Sequence, residues 1–272
     1  MESKNFKVQS NTKELSNTII EVTKCAEKNG LICWINYGAL LGIVRENKLL
    51  PWNNDAHLCC FYEDNFKNKC LRIADELERK GYHTYFYPTV GALNIKKTGV
   101  DVNINCVWRK NDECLRPHEE AEYFSKKYII SHVLYWLARS FSIYTPNISF
   151  KKFCNSGLKE KIKLLLILKN KLLSKKIREY LFLKLINLSK KGGAKFQKTI
   201  VPAYFYDEII EIDFYNEKVY APKNNTELLE YIYGKDWKIP LENWSFYKRE
   251  NHNKSNMQYC DKSWNYNKVD FI

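Results

Sequence analysis

The chain has 272 residues, 45% of them hydrophobic and 28% charged, and its formal net charge is +13. This composition excludes an intrinsically disordered chain, and the length allows one large domain or two small ones. The basic excess predicts an anionic partner, such as a nucleotide, a nucleic acid, a membrane surface or an acidic polymer; a Lys-rich composition that only aids solubility explains it equally well.

The nine cysteines are odd in number and show no C-x-x-C spacing. This indicates neither a zinc site nor a disulfide framework, and we expect buried thiols in a reducing compartment. Residues 1–14 lack the apolar stretch of a signal peptide, and no run approaches the length of about 18 apolar residues that a transmembrane helix needs. We therefore expect a protein that is cytoplasmic, with a membrane-peripheral location as the alternative.

The predicted elements begin with an amphipathic helix over 12–29, which ends at Asn29-Gly30. The pattern then predicts, in chain order, a strand over 31–36, a short helix from Tyr37 to near Arg45, a strand over 56–62 with Asp55 at its start, a helix over 67–80 closed by Gly81, and strands over 82–87 and 91–96 around a turn at Pro88.

Residues 100–107 are apolar at alternate positions, with Asp101, Asn103 and Asn105 on the other face of the predicted strand. The alternation of helices and strands up to this point predicts a mixed α/β (α+β) core. Further on, residues 210–214 and 218–220 predict a hairpin around Asn216-Glu217, and Asn225-Thr226 is a candidate cap of a helix through Tyr233.

Residues 157–191 are rich in Leu, Ile and Lys and contain no Pro. The pattern predicts one or two basic amphipathic helices. A helical segment whose apolar stripe covers the core is one interpretation, and a contact with an anionic membrane surface is the other.

Residues 37–58 read YGALLGIVRENKLLPWNNDAHL and carry the most functional information. A glycine turn lets backbone N–H groups approach anionic oxygens, and a carboxylate at the start of a strand can hold a metal ion. The stretch resembles the LicD/fukutin family, in which the pattern runs approximately YGTLLGAVR, a short polar loop, and IPWDDDIDI. Residues 233–237, YGKDW, resemble the terminal signature of the same family.

The two signatures occur in the family's order and bracket residues 12–240, which is more specific than either signature alone. The resemblance implies a nucleotidyltransferase-like mixed sheet flanked by helices. We predict a core over 1–150, a basic helical segment over 151–198, and a C-terminal hairpin and helix over 199–272 that complete the same domain.

The resemblance also implies a metal-dependent phosphotransferase. Such proteins move a phospho-substituent, such as phosphocholine or ribitol phosphate, from a CDP-linked donor to a hydroxyl of a glycan or glycolipid, and CMP leaves. Asp55 and Asp101 would be the catalytic carboxylates and, with His57, the ligands of a divalent metal, Mg²⁺ or Mn²⁺. The implied substrate and phosphate contacts are Gly38, Ala39, Arg45 and Trp52.

The chain departs from the family pattern at Ala39, Asn53, Asn54 and His57. An imidazole suits later transition metals better than Mg²⁺, so His57 predicts a preference for Mn²⁺ or Zn²⁺. The competing hypothesis is a degenerate site that binds a nucleotide, a glycan or a partner protein without turnover. Charge alone suggests a nucleic-acid partner, but no RNA-binding aromatic motif accompanies it, and we do not expect one.

Overall fold

The structure is a computed structural model that describes residues 11–87, 90–97, 99–122, 129–139, 141, 172–191, 195–240 and 257–259. The described residues form six α-helices: α1 Thr12–Lys28, α2 Tyr37–Glu46, α3 Phe66–Arg79, α4 Ile129–Arg139, α5 Lys175–Lys191 and α6 Asn225–Tyr233. Its strands are β1 Trp34–Asn36, β2 Asp55–Phe61, β3 His83–Tyr87, β4 Ala92–Lys97, β5 Val100–Lys110, β6 Glu113–Glu122, β7 Lys195–Pro202, β8 Ile209–Phe214, β9 Glu217–Pro222 and β10 Met257–Tyr259.

The ten strands form one mixed sheet in the order β10-β7-β6-β5-β2-β1-β9-β8, and the β3–β4 hairpin joins it through β5. At the centre, β2 and β5 are parallel. β1 is antiparallel to β2 and parallel to β9, so strands from both ends of the sequence share the sheet. The first half of β5 also pairs with β4, whereas its last three residues pair with β6. The mixed α/β fold predicted from the sequence is therefore confirmed.

One face of the central strands is apolar and lies under α1 and α3. Leu58 and Cys60 of β2 and Ile104 and Cys106 of β5 are fully buried there. All seven cysteines in the described part of the chain are free and buried, as the sequence predicted. Since side chains alternate along a strand, the residues between them project from the opposite face, which carries the polar groups.

Most predicted elements occur within a few residues of their expected bounds, but two details differ. The hairpin turn of β8 and β9 is Tyr215-Asn216 rather than Asn216-Glu217. The N-cap of α6 is Asn224, and it makes no side-chain capping bond, so the cap predicted at Asn225-Thr226 is wrong. The helical prediction for 157–191 is confirmed over α5, whereas residues 157–171 and the turn at Pro88 lie outside the described residues.

Gly42 lies where the chain that leaves α2 folds back against the helix. A Cβ atom at this position would be 2.6 Å from the backbone oxygen of Lys48 and 3.0 Å from the backbone nitrogen of Leu50. Although Ala is normally the better helix former, we expect Gly42→Ala to lower the free energy of unfolding by about 1–3 kcal/mol, because backbone atoms must move. Urea unfolding measures this loss.

Gly38→Ala in the same helix is the matched control. Its Cβ would meet the side-chain amide of Asn53 at 3.0 Å, and that group can rotate away. We expect a smaller loss for this variant. A Gly42→Ala protein that is as stable as the wild type would show that the loop adjusts freely.

Candidate functional site

A row of polar side chains crosses the second face of β2 and β5, from exposed Asp55 to buried Asn105. Asp55 of β2 is paired in register with Asp101 of β5, and His57 is paired with Asn103. Asn105 follows on the same face of β5, because residues two apart on a strand project together. We call these five residues the polar track. It begins at the carboxylate pair, where β2 starts, and ends at Asn105.

Two carboxylates face each other at the first end of the track. The Asp55 side chain is 53% exposed and that of Asp101 is 26% exposed. Asp101 Oδ2 lies 2.6 Å from Nζ of Lys96, and Asp101 Oδ1 accepts a hydrogen bond of 2.6 Å from Asn94 Nδ2. Both partners come from β4. Asp55 Oδ2 has a looser neighbour, His57 Nε2, at 3.7 Å.

Partial burial, and then the negative charge of Asp101, raise the pKa of the Asp55 carboxyl above its ordinary value of 3.8. A carboxyl whose pKa is raised in the folded state stabilises the fold most when it is protonated. This stability is lost as the pH rises through the raised pKa. The ionised Asp55 carboxylate therefore lowers the stability of the fold at neutral pH.

Asp55→Asn should therefore raise the melting temperature at pH 7, by about 1–3 °C, because more than half of the side chain is in water and screening keeps the effect small. The difference from the wild type should shrink as the pH falls toward 4. Asp75→Asn, at an exposed position of α3, is the control for removal of one surface charge. A pH-independent difference would contradict the assigned cause.

The middle of the track is held by the junction between β1 and α2. Asn36 is fully buried, and its side chain accepts a hydrogen bond of 2.8 Å from the backbone nitrogen of Tyr37. Tyr37 has a φ of 49°, an unusual value for a bulky residue, and its ring lies edge-on to the His57 ring at 5.7 Å. On its other side, His57 Nδ1 is 3.5 Å from Asn105 Nδ2. The imidazole is thus positioned by neighbours on both sides.

The far end of the track is closed by Arg116 of β6, which the sequence did not single out. Arg116 Nη2 donates a hydrogen bond of 3.0 Å to Asn105 Oδ1, and its guanidinium carbon lies 5.0 Å from the centre of the Tyr37 ring. No sequence signal marks this residue, because only the pairing of β5 with β6 brings it to the track.

The residues predicted to contact the substrate or its phosphates lie outside the polar track. Gly38 lies against the Asn53 side chain beside the start of β2. Ala39 is buried in the core, and Trp52 is 52% exposed. Arg45 lies about 12 Å along α2 from Tyr37. Its side chain is 9% exposed, pairs with Glu46 at 2.6 Å and donates to the backbone oxygen of Trp237. The structure thus places Asp55, His57 and Asp101 together on one sheet face, whereas Ala39 is packed in the core and Arg45 contacts Glu46 and Trp237.

The carboxylate pair fits a divalent cation that takes its remaining ligands from a substrate. Among the described residues, no group of three or more His, Cys, Asp or Glu side chains is arranged to hold a metal. Mg²⁺ and similar ions are commonly held by one or two carboxylates together with substrate phosphates. Asp55 and Asp101 are the residues that would hold such an ion, and Lys96 competes with it for Asp101.

A separate cavity lies away from the polar track. It has a volume of about 700 Å³ and lies between the start of α1 and the β8–β9 turn, with Lys24, Glu21 and Glu217 in its wall. It contains no residue of the polar track. We place the candidate site by its chemistry, since the in-register carboxylates and the cation at the far end have no equivalent in that cavity.

Residues 30–131 match the family described as "LicD/FKTN/FKRP, nucleotidyltransferase domain". The match includes the whole polar track and Arg116. It confirms the resemblance seen in the sequence and shows that residues 30–131 resemble the domain of this family.

Among the solved structures similar to this chain are two tRNA-processing enzymes and an antibiotic-resistance factor. "Structure of tRNA-processing enzyme complex 3" is 22% identical, with a TM-score of 0.25 over 31% of this chain and 21% of that chain. "tRNA-processing enzyme (apo form I)" is 24% identical, with a TM-score of 0.26 over 37% and 24%. The chain thus spans about a quarter or less of these two proteins.

The solution structure of the antibiotic-resistance factor ANT(2'')-Ia is 11% identical, with a TM-score of 0.31 over 66% of this chain and 95% of that chain. TM-scores in this range support no argument about function. No curated protein matches the chain at a significant level.

Proposed function

We propose that this protein transfers a phospho-substituent from a CDP-linked donor to a glycan hydroxyl, with a divalent cation on the donor diphosphate. The LicD-family domain supports a phosphotransferase or nucleotidyltransferase-like function. The observation that supports transfer from a CDP-linked donor is the in-register pair of Asp55 and Asp101, at the end of the polar track where β2 starts. This end of the track carries negative charge that a divalent cation would balance, and the same cation would bind the oxygens of the donor diphosphate.

In this proposal, Asp55 and Asp101 hold the cation, which neutralises the charge of the diphosphate when it is bound. Asn94 and Lys96 fix the orientation of Asp101 through its two oxygens. Asp55 Oδ2 has a looser contact, with His57 Nε2 at 3.7 Å. Asp55 is therefore the better placed carboxylate to accept the proton of the attacking hydroxyl.

Release of CMP tests the proposal. CDP-choline and CDP-ribitol are incubated with the protein and a panel of glycans, in Mg²⁺, in Mn²⁺ and in chelator. We expect acceptor-dependent CMP formation that needs a cation and is lost in Asp55→Asn but not in Asp75→Asn. A folded wild-type protein that forms no CMP from either donor under any of these conditions would overturn it.

A second candidate function is a nucleotide or glycan-binding protein without turnover. It is favoured by the ammonium group of Lys96, which lies 2.6 Å from Asp101 where a cation would bind, and by His57 in the place of a second carboxylate. This reading predicts that a CDP-linked compound binds equally well in chelator and in Mn²⁺, with no CMP released.

We also propose that the segment around α5 contacts an anionic membrane surface, near lipid-linked or surface glycans. In the described part of the chain no helix is both long enough and apolar enough to cross a membrane. The helix α5 nevertheless exposes Ile177, Tyr180 and Leu188 together with Lys184. Sedimentation with vesicles that contain anionic lipid, compared with neutral vesicles, tests this: equal binding to both would argue against it.

A further inference from the structure

Among the side chains that the structure describes, no carboxylate is paired with Arg116, the cation at the far end of the polar track. Arg116 Nη2 donates a hydrogen bond to the neutral amide oxygen of Asn105, and the Tyr37 side chain is a second hydrogen-bonding neighbour of the guanidinium. The Nε atom is buried without a hydrogen-bond partner. The titratable groups that act most on Arg116 are Tyr37, Cys59 and Tyr206. Burial raises the pKa of each of these three groups, so all three are neutral at pH 7.

Arg116 as a whole is only partly buried, but its Nε–H group is buried and unpaired, which is costly unless an acceptor completes it. Arginine is also the side chain best suited to phosphate, because its planar fork offers several parallel N–H donors. By contrast, the guanidinium of Arg45 is already paired with Glu46. Of these two arginines, Arg116 therefore has the donor capacity for a ligand.

We propose that Arg116 binds an oxyanion of the phosphate class at the far end of the polar track. The inference deepens the proposed function by adding a second anion contact to the site. Asn105 is four residues from Asp101 along β5, a distance of about 13 Å. The oxyanion at Arg116 is therefore a different group from the phosphate oxygens that share a cation with Asp55 and Asp101, and the ligand lies along the track with Asn105 and Tyr37 beside its anionic end.

Titration of inorganic phosphate into the full chain, in chelator, tests the proposal. We expect the wild type to bind phosphate, Arg116→Gln to bind at least 10-fold more weakly, and Arg116→Lys to be intermediate because it keeps the charge but loses the fork. Arg109→Gln is the matched control, since Arg109 is an exposed arginine whose partner is Asp207. Its phosphate binding should be unchanged.

A second measurement covers the case in which Arg116→Gln does not fold. Phosphate should slow the modification of Arg116 by butanedione in the wild-type protein, as mapped by mass spectrometry, and should leave Arg109 unprotected. The proposal would be overturned if Arg116→Lys and a folded Arg116→Gln both bind phosphate as tightly as the wild type. It would also be overturned by a wild type that neither binds phosphate at about 10 mM nor shows protection of Arg116.

Competition then distinguishes the source of the oxyanion. If CDP-choline with Mn²⁺ displaces phosphate, the group at Arg116 belongs to the donor. If both bind together, it belongs to the acceptor. The chelator experiments do not depend on the proposed reaction: phosphate binding at Arg116 without any binding of a CDP-linked compound would end the proposed function and leave this site in place.

Discussion

Asp101→Asn is expected to lower the rate of CMP release by at least about 100-fold. The substitution removes half of the negative charge that would hold the cation, and a metal-borne stabilisation of phosphate charge contributes several kcal/mol to such reactions. Asparagine keeps the shape of the side chain and an acceptor for Asn94, so the β4–β5 pairing around it should persist. The rate is measured at saturating donor, together with the melting temperature of each variant.

Two further variants serve as controls for the Asp101→Asn result. Asp75→Asn, on an exposed turn of α3, should release CMP at the wild-type rate. Asp101→Glu keeps the charge but moves it by one methylene, and we expect an intermediate loss. Wild-type turnover of a folded Asp101→Asn protein would mean that the carboxylate pair is not the reaction centre.

Asn36→Ala should lower the free energy of unfolding by about 2–4 kcal/mol. The Asn36 side chain is fully buried, caps α2 at the Tyr37 nitrogen, and donates a hydrogen bond of 3.0 Å to the hydroxyl of Tyr206. Alanine would leave both groups without their partner inside the fold. Because Tyr37 positions His57 and lies under Arg116, the variant should also weaken phosphate binding.

Urea unfolding measures the loss, and phosphate titration at a temperature where the variant is folded measures the effect on the site. Asn17→Ala, on the exposed side of α1, is the control and should change stability by less than about 0.5 kcal/mol. A similar small change for Asn36→Ala would show that the junction of β1 and α2 is held by other contacts.

Local patterns in the sequence were sufficient to predict most elements of the fold. Apolar residues recur every three or four positions in α1 and α3, as expected for helices with one buried face. A glycine follows the C-terminal end of each helix, Gly30 after α1 and Gly81 after α3. The alternation in β5 likewise identified Asp101, Asn103 and Asn105 as one face. The family resemblance supplied the pairing of Asp55 with Asp101, which no local pattern contains.

The contacts that complete the site depend on register, which local patterns do not fix. Lys96 reaches Asp101 because β4 pairs antiparallel with β5, and Arg116 reaches Asn105 because β6 follows β5 in the sheet. Arg45 was expected at a phosphate from its place in the motif, but its guanidinium lies at the end of α2 against Glu46 and Trp237. Its role in substrate binding stays a prediction, as does the role of Trp52.

The residues that depart from the family pattern lie in different parts of the fold. Ala39 is part of the core, so a lost hydroxyl there changes the packed interior rather than the exposed face. His57 lies on the track between Tyr37, Asn105 and Asp55, at 3.7 Å from the last of these. The predicted preference for Mn²⁺ over Mg²⁺ therefore depends on whether His57 moves toward the carboxylate pair when a donor binds.

Calorimetric titration of CDP-choline and CDP-ribitol into the wild-type protein, in Mg²⁺, in Mn²⁺ and in chelator, tests the central claim most directly. A cation held by Asp55 and Asp101 predicts binding in the presence of metal, none or much weaker binding in chelator, and loss of the metal-dependent part in Asp55→Asn. Absence of binding under all three conditions, by a protein that melts cooperatively, would contradict the account of this sheet face as a donor site.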